Sequence, residues 1–277
     1  MAQRPRAERL SVAGMAGLIV AVIAAAGAFA PDATASTWLD SFQATFDTAI
    51  RTDGAGVLKR GQILVKRFQA APAIVDTGIP ANVQIGALAI DGDTVFYAPD
   101  AAFKFAGLPV TPRDVVRRNA NGTSTIFLRG SDMGLPANVR LDALALSGSD
   151  VLFSVDAATK IAGTSVSPAD VLRWNGSAVS ILYPAHSLGI AAGLNLTGLE
   201  RLANGDLLMA FDTAGRVAEV SFKAGEILRY APSSANWSLA LSQSQLGVQC
   251  SPCKLNDFAA SGNPDVIFRS GMERYED

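Results

Sequence analysis

LDALALSGSDVLFSVDAATKIAGTSVSPADVLRWNGSAVSILYPAHSLGI, residues 141–190, decides the fold because copies of it lie on both sides. It begins with an apolar run, Leu141 to Leu146, and turns at Ser147-Gly148. It then runs apolar again from Val151 to Val155, reaches Asp156, and resumes an extended pattern at Val171-Leu172-Arg173-Trp174. Short apolar runs punctuated by glycine read as a strand meander. Within the first run Ala143 and Ala145 alternate with Leu144 and Leu146. Both faces are therefore apolar, one small and one large, as in strands covered on both sides.

Working outward, Ile85 to Asp100 (IGALAIDGDTVFYAPD) aligns with Leu141 to Asp156 without a gap, at an offset of 56. Leu196 to Asp212 (LTGLERLANGDLLMAFD) needs one inserted residue, and Leu255 to Ser270 (LNDFAASGNPDVIFRS) is a degraded copy. Asp91-Gly92, Ser147-Gly148, Asn204-Gly205 and Ser261-Gly262 fall in phase between paired apolar runs. Glycine there supplies the positive φ of tight hairpin turns. A third strand starts at Asp114, Asp170 and Glu226, and a fourth run follows at Thr125–Leu128, Val179–Leu182 and Trp237–Leu241.

Four short strands per unit of about 56 residues are the content of one β-propeller blade. The fold is read as all-β and propeller-like. Its repeats span 36–84 (partial), 85–140, 141–195, 196–248 and 255–277 (partial). Residues 44–67 read as a second strand, a loop and a third strand, and Ala73-Ile74-Val75 as a fourth. The missing first strand is at the other end of the chain, Leu255 to Ala260, so a ring of four blades closes when the C-terminal strand joins the N-terminal three. A degenerate fifth blade is the alternative, because Val266 to Phe268 duplicates a second strand.

The repeat pattern, LDALALSGSDVLFSVD followed by DVLRWNG, resembles repeats of uncharacterised exported bacterial proteins of propeller-like architecture. The resemblance covers nearly all of residues 36–277 and implies fold and export, and it carries no catalytic residue.

Residues 1–35 combine Arg4, Arg6 and Arg9 with an apolar run from Val12 to Ala30, then Ala33-Thr34-Ala35. A basic start, an apolar centre and a small-x-small site form an export signal. Cleavage before Ser36 would leave 242 residues as a single domain that is periplasmic or extracellular. The alternative is a retained membrane anchor, since 19 residues approach a span's length. The net charge of −2 falls to about −3 without the leader, and no basic stripe remains, which argues against nucleic acid as a partner.

Each unit ends its second strand on an acid, Asp100, Asp156 and Asp212, with Asp47 in the N-terminal part. A ring of such carboxylates around a central channel is a candidate site for Ca²⁺ or another hard cation. The alternative is a set of repeated Asp–Arg or Asp–backbone contacts that fix turns, since residues recurring in every repeat serve what every repeat must do. A further acid starts each third strand (Asp114, Asp170, Glu226), three residues before an Arg (Arg117, Arg173, Arg229).

Cys250 and Cys253 are the only cysteines and form CSPC, which in an oxidising compartment reads as a disulfide. His186 is the only histidine, and no spacing sets an acid and a nucleophile beside it, so it reads as a surface residue. No catalytic residue is assigned. The functional expectation is an exported, non-catalytic binding or scaffold protein of the cell envelope, with a protein or carbohydrate ligand. The alternative is a metal-supported propeller hydrolase or lyase acting on a sugar or lactone.

Overall fold

Alternating apolar runs separated by glycine turns become 25 short strands among the described residues of the computed structural model. It describes residues 39–262 apart from 53, 68–71, 106, 243, 247 and 250–253. The leader, Cys250 and Cys253, and Val266–Phe268 lie outside the described residues, as do the readings attached to them.

The first strands are β1 (Leu39–Phe46), β2 (Ile50–Thr52), β3 (Gly56–Leu58), β4 (Gln62–Arg67) and β5 (Ala73–Asp76). The second unit holds β6 (Ile85–Asp91), β7 (Thr94–Pro99), β8 (Phe103–Phe105), β9 (Leu108–Val110), β10 (Val115–Arg118) and β11 (Ser124–Leu128). The third holds β12 (Leu141–Ser147), β13 (Asp150–Val155), β14 (Thr159–Ile161), β15 (Thr164–Val166), β16 (Val171–Trp174) and β17 (Val179–Tyr183). The fourth holds β18 (Leu196–Arg201), β19 (Leu207–Phe211), β20 (Gly215–Val217), β21 (Val220–Phe222), β22 (Ile227–Ala231) and β23 (Asn236–Leu241). The chain then forms β24 (Val248–Gln249) and β25 (Leu255–Gly262).

Four antiparallel four-stranded sheets result, in the orders β25-β1-β4-β5, β6-β7-β10-β11, β12-β13-β16-β17 and β18-β19-β22-β23. The innermost strands β6, β12, β18 and β25 neighbour one another in a ring, so this is a four-bladed propeller. The C-terminal strand completes the N-terminal blade, as the repeat arithmetic predicts. β25 pairs β1 with Ala260 opposite Phe42 and Phe258 opposite Ala44, and the Phe42 and Phe258 rings stack at 5.5 Å.

Turn chemistry follows the sequence at three of the four expected glycine turns, but Ser261 and Gly262 continue β25, opposite Ser41 and Leu39, instead of turning. Gly92 and Gly148 occupy the first turn position at φ 56° and 62°, the geometry of a two-residue hairpin that glycine alone enters freely. In the fourth unit the inserted residue makes a longer loop, Ala203-Asn204-Gly205, closed by the Leu202 N–H to the Asp206 carbonyl.

The segments between second and third strands are small hairpins: β2-β3, β8-β9, β14-β15 and β20-β21. Each leaves the blade just after the recurring aspartate. Among the described residues the only helix is a single 3-10 turn, Ala185–Leu188, and no helix is long and apolar enough to cross a membrane.

The inner strands interlock by size. Aligned third positions are Ala87, Ala143, Gly198 and Asp257, and fourth positions are Leu88, Leu144, Leu199 and Phe258. Between β18 and β25 the small residue, Gly198, lies against the large one, Phe258. A Cβ on Gly198 would stand 2.7 Å from the Phe258 ring, too close for any carbon contact.

Asp257 breaks the pattern. It is wholly buried, and its carboxylate accepts the backbone N–H of Leu88 (2.7 Å), Leu144 (2.8 Å), Leu199 (3.1 Å) and Phe258 (2.7 Å). One side chain therefore satisfies an inner-edge donor from every blade. Burial pushes this carboxyl well above the usual range, and the four N–H donors oppose it by favouring the charged form.

Candidate functional site

The repeated geometry that builds the ring also builds a pit at one of its mouths. Three symmetric sets of residues line it. The residue before each inner strand supplies Gln84, Arg140, Asn195 and Lys254. The second residue of each inner strand supplies Gly86, Asp142, Thr197 and Asn256. The end of each second strand supplies Asp47, Asp100, Asp156 and Asp212. The cavity is about 360 Å³ and holds five carboxylates against two cationic side chains. Its lining stops above the buried layer of Ala87, Ala143, Gly198 and Asp257, so the pit is blind.

The four aspartates that sequence reasoning singled out therefore converge on this pit. Three of them have a local task. The Asp100 N–H donates to the Gln84 carbonyl while the Gln84 N–H returns to Asp100 Oδ1 at 2.7 Å. Asp156 does the same with Arg140 (2.8 Å) and Asp47 with Lys254 (3.0 Å). Each clamp fixes the chain as it enters the inner strand, and Arg140 Nε adds a 2.9 Å ion pair to Asp156. Among the described residues no three His, Cys, Asp or Glu side chains are close enough to share one metal ion.

The fourth clamp is incomplete. The Asp212 N–H donates to the Asn195 carbonyl at 3.1 Å, but Asp212 Oδ1 is buried with no hydrogen-bond partner. Asn195 Oδ1 and Thr197 Oγ1 are likewise buried and unpartnered. Asn195 and Thr197 flank Leu196, and both line the pit. Asn195 Nδ2 donates to Asp142 Oδ2 at 2.5 Å. The Asp142 carboxyl is pushed up to about 6 by burial and by Asp156 and Asp212, against the pull of Asn195 and Arg140.

From this quadrant a groove of about 660 Å³ runs outward between the third and fourth blades. It shares Asp156, Asn195 and Asp212 with the pit and continues over Val166, Pro168, Ala169, Ile190, Ala192 and Leu194. His186 also lines it, so the exposed histidine lies at a concavity and not on an open surface.

The second acid series is structural in its contacts. Asp114 accepts the N–H of Thr111 (2.9 Å) and Gly130 (3.0 Å), and Asp170 those of Ser167 and Ala185 (2.7 Å each). The arginines three residues on pair elsewhere: Arg173 with Asp150 at 3.8 Å, and Arg229 with Asp206 across the β19-β22 pairing.

Sequence reasoning missed Asp142, Asn195, Thr197, Asp257 and Glu200. The signal was available in the aligned inner strands, where fifth positions read Ala89, Ala145, Glu200 and Ala259. A charged residue in a slot otherwise held by alanine marks a site where the repeat is broken. Burial pushes the Glu200 carboxyl up to about 8, against the N–H groups of Arg201 and Ala260.

No family model matches the chain, and no curated protein matches it. Among solved structures it is similar to a luciferin-regenerating enzyme at 14% identity and a TM-score of 0.34, covering 68% of this chain and 59% of that one. It is also similar to a streptogramin B lyase at 9% identity and a TM-score of 0.30, covering 72% and 58%. An extracellular domain from B. thetaiotaomicron aligns at 14% identity and a TM-score of 0.32. That alignment covers 70% of this chain and only 22% of that one.

Proposed function

We propose that this chain is an exported, non-catalytic binding module of the cell envelope, whose ligand seat is the axial pit together with the adjoining groove. The observation that carries the reading is their continuity. One concavity passes from an acidic floor near the axis to an apolar channel between two blades, joined through Asp156, Asn195 and Asp212. An apolar cleft with a few convergent polar groups is the usual form of a small-ligand site. The repeat symmetry is broken at the same place, as expected where a copy has been diverted from structure to recognition.

The test uses residues 36–277 and the neutral dye N-phenylnaphthylamine. The expected result is a fluorescence increase on the folded protein that Ala192→Trp, which fills the groove, reduces by tenfold or more. A folded protein that leaves the dye dark would overturn the reading.

A metal-supported hydrolase or lyase is the second reading: Asp100, Asp156 and Asp212 line one pit, although among the described residues no three such side chains stand close enough to share one ion. It requires a stoichiometric metal in the purified protein, which elemental analysis reads directly.

A further inference from the structure

We propose that the quadrant formed by Asp142, Asn195, Thr197 and Asp212 binds a primary ammonium group carried on an apolar stem. This rests on the reading of the pit and groove as a ligand seat and names the ligand's chemical class. Three observations converge on it.

The first is the unmet demand for donors. Asp212 Oδ1 and Asn195 Oδ1 are acceptors and Thr197 Oγ1 can accept as well as donate; all three are buried and without a partner, and Thr197 is only 7% exposed. In the other three blades the oxygen equivalent to Asp212 Oδ1 is met by a backbone N–H. An unpaired buried polar atom is costly, so a set of three in one corner is a corner that awaits donors. An ammonium offers three N–H donors and no acceptor.

The second is charge. The pit holds five carboxylates against two cationic side chains: Arg140, which is paired with Asp156, and Lys254, at the entrance of the first blade. An anionic or purely hydroxylic head would leave this field uncompensated.

The third is size and continuity. The cavity of about 360 Å³ far exceeds the volume of one ion, and no three ligating side chains converge. The groove that opens from the quadrant is lined by Val166, Pro168, Ala169, Ile190 and Leu194, where a hydrocarbon stem loses its contact with water.

The test is a titration of residues 36–277 by calorimetry at neutral pH with hexylammonium chloride, hexanol, hexyltrimethylammonium chloride and calcium chloride. Hexylammonium is expected to bind at least tenfold tighter than hexanol and than the trimethylated cation, which has the charge but no N–H. Asp212→Asn and Thr197→Val, both nearly isosteric, should each weaken hexylammonium at least fivefold while circular dichroism shows both variants folded. Nα-acetyl-lysine methylamide distinguishes two sources of the same head. Tighter binding than hexylammonium assigns a protein lysine, and weaker binding assigns a free amine.

Equal affinities for hexanol and hexylammonium, indifferent to both substitutions, would overturn the ammonium assignment and leave the concavity standing as a binding site. So would calcium binding that is abolished by Asp212→Asn without any hexylammonium binding. A dark N-phenylnaphthylamine result, in contrast, removes the underlying reading itself.

Discussion

Replacing Asp257 tests whether one carboxylate holds the ring together. It accepts four N–H groups, three of them from the inner edges of other blades. A hydrogen bond to a charged group contributes about 1.5–3 kcal/mol net. At the lower figure Asp257→Ala loses about 6 kcal/mol. Alanine fits sterically, since Ala87 and Ala143 hold the equivalent positions, so the loss measures bonding and not overpacking. Asp257→Asn keeps one acceptor oxygen and two of the bonds, and costs about 3 kcal/mol by the same figure.

At this chain length about 1 kcal/mol moves the melting temperature by about 2–4 °C, which predicts a fall of about 6–12 °C for the asparagine variant. Urea unfolding of residues 36–277 supplies the free energies. The competing effect is the desolvation of a buried charge, which amounts to several kcal/mol. If that effect dominates, Asp257→Ala will lie within about 1 kcal/mol of wild type, and Asp257 is not what holds the axis together. An asparagine variant less stable than the alanine one would refute it equally.

Glu200 makes stability fall as pH rises. Its folded value of about 8 lies above the ordinary 4.5, so between these limits the native state holds a proton that the unfolded chain has released. Stability is full below pH 4.5 and declines by up to about 5 kcal/mol toward pH 8. Asp142 and Asp257, also raised by burial, lose stability in the same direction, so Glu200→Gln should reduce the fall of melting temperature across that window without abolishing it, and an unchanged slope counts against the assignment. Gly198→Ala forces a methyl group into the Phe258 ring 2.7 Å away. A loss of about 1–3 kcal/mol is expected from overpacking, read by the same urea curves, with Ala143→Gly as the mirror-image control.

Sequence periodicity carried the architecture because a blade is specified by local signals. Glycine at the turn positions, alternating small and large residues in Leu141 to Leu146, and the 56-residue offset all act within one unit. Closure by Leu255 to Ala260 was legible for the same reason, as a first strand lacking its successors. The hairpins β8-β9 and β14-β15 were not, because three-residue strands such as Phe103–Phe105 are too short to show alternation.

The site was half legible. Asp100, Asp156 and Asp212 announced themselves by recurring, yet recurrence pointed at the clamps. The unpartnered oxygens lie where a copy differs: Thr197 in place of Gly86, and Asn195 in place of Arg140. Which differences matter depends on what faces them across the axis, and no single strand contains that information.

The division of the first blade between the two ends of the chain sets a timetable for folding. During synthesis β1 to β23 are complete before Asp257 exists, so the donors of Leu88, Leu144 and Leu199 wait without their shared acceptor. The ring cannot lock until synthesis has passed β25. For a chain threaded through a membrane from its N-terminus, that delay is useful. A chain exported as proposed would have β1 to β23 across the membrane before the residue that locks them.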